Sequence, residues 1–162
     1  MRPMEQPLIS TPRLVLRPVS ASLAAAVVAG DLSVLDAGDG WPTDDTVDGL
    51  KMVVTDGAPA WLVALGGRVI GDCGSHGPVD EAGDVELGFG LAAPYRGQGY
   101  GTEVARALAE HLGAQPGVRR VVAQGVLPNN VPSRRALERV GFTVERETAD
   151  GVWYERSVAP AS

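Results

Sequence analysis

The chain has 162 residues, a formal net charge of −6 and a pI of about 4.8. That length suits one domain with one sizeable core, and the acidic balance argues against a nucleic-acid partner, which normally meets a basic patch. No apolar run approaches the roughly 20 residues of a membrane span, and Met1–Pro7 lacks the apolar core of a signal peptide, so a cytoplasmic protein without membrane contact is expected.

The first ten to twelve residues, with Pro3, Pro7 and Pro12, read as a loose arm. Leu14–Val19 alternates as a first strand, and Pro18 places it at an edge or an end. Ser20 can cap a helix from Ala21 to Ala29, closed by Gly30. Residues 30–46 are rich in Gly and Asp and irregular. A second helix is expected over Thr46–Thr55, with Asp44 or Asp45 near its start.

Ala60–Leu65 and Arg68–Cys73 flank Gly66-Gly67, which predicts a hairpin. Residues 78–83 turn into a strand over 84–91. Arg96-Gly97-Gln98-Gly99-Tyr100-Gly101-Thr102 follows, and then a helix over Glu103–Leu112, with Val104, Leu108 and Leu112 at i, i+4 and i+8. Val118–Val126 is the next strand. Strand, glycine-rich turn, helix and strand make a βαβ unit with a parallel pair. Asn130 caps a short helix that ends at Val140, with Gly141 as a left-handed cap. Thr143–Thr148 and Val152–Val158 flank Asp150-Gly151 as a last hairpin. The expected order is β, α, α, β, β, β, α, β, α, β, β, in one domain over 1–162. The class is α/β, with a mixed, mostly antiparallel sheet.

The glycine-rich turn carries the chemistry. Gly97, Gly99 and Gly101 leave the backbone unshielded where a strand feeds a helix. The first-turn N–H groups of that helix have no internal partners, and the helix dipole favours an anion there. A phosphate or pyrophosphate is the natural occupant, and Arg96 adds a charged fork. The G-x-G-x-G spacing is neither the dinucleotide G-x-G-x-x-G nor a Walker loop.

The single cysteine, Cys73, excludes an internal disulfide and reads as a core filler. His76 and His111 lack metal-ligand spacing, so no metal is expected. Thirteen arginines against one lysine, Lys51, read as biased codon usage rather than as phosphate recognition.

The 96–101 stretch matches R-x-x-G-x-G, the acyl-coenzyme-A loop of the GNAT N-acetyltransferases. From about Thr11 to Ser157 the chain resembles that superfamily. Thr11-Pro-Arg-Leu-Val-Leu-Arg-Pro, Glu86-Leu-Gly-Phe and Asn130-x-x-Ser133 are similar to its ribosomal-protein N-terminal acetyltransferase (Rim-type) branch. The resemblance implies an acetyl-CoA-dependent transferase of the GNAT fold, with about four helices around the sheet. Its two parallel strands would splay at their C-terminal ends. Pantetheine would lie in the gap on the backbone of Phe89, Gly90 and Leu91. The pyrophosphate would sit on Gln98 through Thr102, beside Arg96 and Gly97, and Asn130 and Ser133 would reach the acyl carrier.

Transfer needs a neutral amine and a protonated leaving thiolate. In an alternating strand Val85, Leu87, Phe89 and Leu91 share one face, leaving Glu86 beside Gly88 and Gly90 on the other. Glu86 is therefore the candidate base, acting through water. A strand bulge would shift that parity. Many GNAT members place an acidic Tyr four residues after the Ser133 position. Here that residue is Leu137, so Ser133 is the candidate acid, with Tyr154 and Tyr95 behind it. An N–H near Gly90 or Leu91 would stabilise the oxyanion.

The expected acceptor is a primary amine, at a protein N-terminus or on a small molecule. An α-amine is roughly a tenth neutral at pH 7, far more than a lysine side chain. The acidic stretches 36–48 and 80–86 suit a cation, and 30–58 would form one acceptor wall, with His76 nearby. The competing reading is a catalytically silent acyl-CoA-binding module. A monomer or homodimer is expected.

Overall fold

Gly66 and Gly67, at φ of +58° and +85°, close the hairpin predicted around them. It joins β3 (Ala60–Leu65) to β4 (Arg68–Ser75) in a computed structural model that describes residues 6–158. The remaining strands are β1 (Ile9–Ser10), β2 (Val15–Pro18), β5 (Asp84–Leu91), β6 (Arg120–Val126), β7 (Thr143–Glu147) and β8 (Val152–Ser157). They form one eight-stranded sheet in the order β1-β2-β3-β4-β5-β6-β8-β7. Every neighbouring pair is antiparallel except β5 and β6. This is the GNAT arrangement expected above, with four α-helices among the described residues.

The helices are α1 (Ala21–Val28), α2 (Asp44–Asp56), α3 (Tyr100–Gly113) and α4 (Val131–Arg139). Ser20 caps α1 by accepting from the Leu23 N–H. Thr43 and Thr46 form a reciprocal capping box at α2, which starts that helix two residues before the predicted point. Gly57, at φ +67°, ends it.

Strand alternation sorts the core into two layers. Leu14, Leu16, Trp61, Val63, Ile70, Val85 and Leu87 pack with Val104, Leu108 and Leu112 of α3 and Leu137 of α4. On the other face Ala60, Leu62 and Val69 pack with Leu50 and Val53 of α2 and Ala24 and Val27 of α1.

Two expectations need correction. The N-terminal stretch is not loose throughout: Ile9 and Ser10 pair with Leu16 and Val15, and the Pro7 carbonyl accepts from Trp61 Nε1 at 2.8 Å. Residues 1–5 lie outside the described residues. Strand β2 is thus not the sheet edge, and Pro18 stands at its end. Helix α3 also starts at Tyr100, not Glu103, because Gly99 takes φ +84° and turns the chain directly into the helix.

The feature that positions the site is the short life of the parallel pair. Only Asp84↔Arg120, Val85↔Val121 and Glu86↔Val122 are in register. Beyond Glu86, β5 stays with β4 through Leu91, while β6 stays with β8. The two strands part, leaving a V that opens toward their C-terminal ends.

A bidentate ion pair closes the base of the V. Arg120 Nε and Nη2 donate to the two Asp84 carboxylate oxygens at 2.8 and 2.7 Å, and Nη1 donates to Glu155. The Arg120 hydrogen bonds hold the Asp84 carboxyl below the ordinary carboxylate range. A depressed carboxylate stabilises the fold above its unfolded pKa and loses that contribution as pH falls through the folded one. Asp84→Asn is therefore expected to lower Tm by about 2–4 °C at neutral pH, the equivalent of roughly 1 kcal/mol for a partly screened bidentate pair. Thermal melts should show the difference shrinking as both proteins are acidified. A Tm gap that stays constant into acid would mean the Asp84 charge contributes nothing.

Candidate active site

Helix α3 begins without a side-chain cap. Among the described residues, the main-chain N–H groups of Gly97, Gln98, Gly99, Tyr100, Gly101 and Thr102 donate to no protein acceptor; the next, Glu103, donates to Gly99 O. These six donors are left for solvent or a ligand, because the first N–H groups of a helix have no intrahelical acceptor. The mouth is open. A Cβ on Gly97 would meet nothing within 4 Å, and one on Gly101 would only touch Phe89 and Leu91 at 3.8 and 3.9 Å. Gly97 and Gly99 hold positive φ, at +76° and +84°.

Arg13 leans on this mouth. Its Nε donates to Glu103 at 3.1 Å and its Nη1 to the Gln98 carbonyl at 2.9 Å. Its guanidinium lies 4.4 Å from the Tyr100 ring centroid. Glu103 stands in the first turn of α3, where its charge would oppose an anion, and Arg13 neutralises it. Arg13→Ala should weaken coenzyme-A binding about three- to tenfold by calorimetry, and adding Glu103→Gln should recover most of the loss. A loss that the double variant fails to recover would assign Arg13 a packing role only. Arg96 is partly committed: its Nε donates to the Leu91 carbonyl at 3.0 Å.

Register runs unbroken from Gly71↔Leu91 to Ser75↔Leu87, so no bulge disturbs β5 over that span. The expected parity holds. Val85 and Leu87 are buried, Phe89 and Leu91 pack against the same core, and alternation puts Glu86, Gly88 and Gly90 on the opposite face. On that face lies a cavity of about 370 Å³, bounded by α2, β4 and β5. Its lining includes Asp45, Asp48, Asp72, His76, Gly88 and Gly90. A Cβ on Gly90 would meet nothing within 4 Å.

Asp72 forms part of the floor, opposite Gly90 in register. Its Oδ2 accepts from Thr46 Oγ1 at 2.6 Å and from Trp41 Nε1 at 3.0 Å. Those bonds pin the start of α2 and the preceding loop to the sheet. Burial raises the Asp72 carboxyl above its ordinary value, opposed by these two hydrogen bonds. Burial likewise raises the neighbouring Cys73 thiol, aided by the Asp72 charge, which fits a core filler.

Glu86 does not itself line the cavity. Its Oε1 lies 3.3 Å from His76 Nδ1, and its carbonyl accepts from the His76 N–H at 2.9 Å. His76, unlike Glu86, lines the cavity. Ser133 is half-buried in the first turn of α4, and Asn130 caps that helix by accepting from the Ser133 N–H at 3.3 Å. Tyr154 is fully buried, its hydroxyl engaged by Arg134 and Glu138, and Tyr95 is partly buried against the core. Neither tyrosine lines the cavity. Among the described residues no group of three His, Cys, Asp or Glu side chains is placed to hold a metal ion.

A family model described as the acetyltransferase (GNAT) domain matches residues 13–143. The chain belongs to the GNAT acetyltransferases. It is 25% identical over 158 residues to the uncharacterized N-acetyltransferase YjdG of Bacillus subtilis (strain 168), covering 88% of this chain and 94% of that protein. The crystal structure of an acetyltransferase from Agrobacterium tumefaciens str. C58 aligns with a TM-score of 0.64 at 28% identity, over 96% of this chain and 97% of that one. RimJ of Mycobacterium smegmatis, solved in complex with CoA-disulfide, aligns at 0.68 and 21% identity, over 97% and 90%. At that identity the likeness carries the fold alone. The GNAT domain is an acyl-CoA-dependent N-acyltransferase, and among the described residues no helix is long and apolar enough to cross a membrane.

Proposed function

We propose that this GNAT domain moves an acetyl group from acetyl-CoA to a primary amine held in the cavity between α2 and the sheet, by direct attack with both substrates bound. One observation carries this reading: a parallel strand pair that parts after Glu86, beside a helix mouth with six amides that have no partner among the described residues. The amides and the missing glycine side chains fit a diphosphate. The V fits a narrow arm that hydrogen-bonds β5 at Phe89, Gly90 and Leu91 as an added strand. Asn130 and Ser133, at the start of α4, would flank that arm.

When bound, the thioester supplies an activated acyl carbonyl and a tolerable leaving group. Glu86 serves as the base for the attacking amine, acting through water. Ser133 protonates the departing sulfur, and an N–H at Gly90 or Leu91 steadies the carbonyl oxygen. Asp45 and Asp48 favour a cationic acceptor, and a cavity of about 370 Å³ suits a small amine or the first residue of a peptide. A cytoplasmic setting follows from the use of acetyl-CoA.

The test is free-thiol release from acetyl-CoA across a panel of α-amino, small polyamine and lysyl acceptors. Release that depends on a small α-amine is expected. Tight acetyl-CoA binding with no amine raising release would instead favour a silent acyl-CoA-binding module.

A further inference from the structure

We infer that His76 is a catalytic residue, the group that takes the proton from the acceptor amine, with Glu86 behind it as its orienting partner. This assignment rests on the transfer reading above and replaces the relaying water with a side chain.

The placement comes from three contacts. His76 Nδ1 faces Glu86 Oε1 at 3.3 Å. The backbone bond from the His76 N–H to the Glu86 carbonyl fixes the two residues side by side across β4 and β5. The other edge of the ring lies over Gly88, so close that a Cβ there would collide with Nε2 and Cε1. The bare glycine is what lets the imidazole sit so close to the strand. His76 and Gly88 both line the cavity, whereas Glu86 does not.

Hydrogen-bond inventory then sets the tautomer. An ionised carboxylate only accepts, so the His76 nitrogen facing Glu86 must carry the hydrogen. That leaves the Nε2 lone pair free, beside Gly88 and two residues from Gly90, where the acyl carbonyl is proposed to lie. The other charged groups around the cavity are Asp45 and Asp48 on α2, Asp72 on β4 and Arg96 beyond β5.

The step balances. An acceptor arriving as an ammonium loses two protons. One passes to Nε2 of His76 and on to solvent, the other ends on the departing sulfur. The nitrogen lone pair forms the bond to the acyl carbon as the carbon–sulfur bond breaks.

The experiment compares His76→Ala, His76→Gln and the parent protein, each with intact Glu86. Coenzyme-A affinity by calorimetry should stay within about twofold for both variants, while single-turnover transfer falls roughly 100-fold or more. Added imidazole should restore much of the rate to His76→Ala, whose cavity is open, and little to His76→Gln, whose cavity is filled. Transfer by His76→Ala within about threefold of the parent, or a fall that imidazole does not relieve, would overturn the assignment and leave Glu86 acting through water. Imidazole nitrogen NMR of the acceptor-free protein gives a reading that needs no turnover. The expected spectrum has the His76 proton on Nδ1 and a bare Nε2, with the Nδ1 signal shifting in Glu86→Gln. The opposite tautomer refutes the dyad even in a protein that transfers to no amine tested, and thiol release judges the transfer reading separately.

Discussion

Gly101→Asp is expected to abolish coenzyme-A binding, whereas Gly101→Ala should bind nearly as the parent does. Position 101 is the second residue of α3, and its φ is not in the left-handed region. An added Cβ would make ordinary contacts at 3.8 Å to Phe89 and 3.9 Å to Leu91, so the methyl group has room. The carboxylate differs by charge. It would take up the free first-turn amides itself and face the diphosphate with the same sign. At about 5 Å and an effective dielectric near 20, each like unit charge costs about 3 kcal/mol, a loss on the order of 100-fold in affinity. Misfolding is a poor explanation, because an acidic residue in the first turn of a helix is stabilising. Calorimetry with coenzyme A and a thermal melt decide the matter. A folded Gly101→Asp protein that binds with parental affinity would place the diphosphate somewhere other than this helix mouth.

The same helix mouth illustrates what a sequence discloses and what it hides. Gly97, Gly99 and Gly101 announce a turn that exposes main-chain donors, because glycine shields them least. The start of α3 was harder to see. Glycines in a first turn have poor helix propensity, so the periodic run seems to open at Glu103, and yet Gly99 at φ +84° starts it at Tyr100. Gly66-Gly67 and Asp150-Gly151 are legible because turn chemistry is local. Ile9–Ser10 is not, since two residues show no alternation and their pairing with β2 is decided by tertiary contact.

Site residues divide in the same way. Glu86 is readable from alternation within one strand. Its approach to His76 is not, because ten residues and a turn separate them, and register alone brings them together. The one available signal was Gly88, a position bare enough to accept a neighbouring ring. Asp72 reads from sequence as an ordinary strand carboxylate. Its bonds to Trp41 and Thr46 depend on how residues 41–46 fold back over the sheet. Arg13 sat within a motif that signalled the family, but its contact with Gln98 and Glu103 spans 85 residues or more.

Glu86→Gln carries the second large effect, and its pH dependence tells proton acceptance from simple positioning. Glutamine keeps the size of the side chain and an oxygen that accepts from His76 Nδ1, so the ring should stay in place and coenzyme-A affinity should not change. What is lost is the negative charge that favours protonated imidazole. At pH 7 an α-amine is roughly a tenth neutral, and at pH 9 it is mostly neutral, so the need for a proton acceptor fades as pH rises. The kcat/KM deficit should therefore be largest at pH 7, on the order of 100-fold, and should narrow several-fold by pH 9. The sign is specific. A residue that merely holds the amine in place would cost the same at both ends of that range, since a hydrogen bond to the neutral amine is needed throughout. A deficit that is flat with pH would thus remove Glu86 from the proton path and make its contact with His76 a matter of ring placement. A deficit that shrinks in the Glu86→Gln protein, together with a larger loss in His76→Ala at every pH, would order the two residues along one path: amine to imidazole, with the carboxylate stabilising the charge that arrives there.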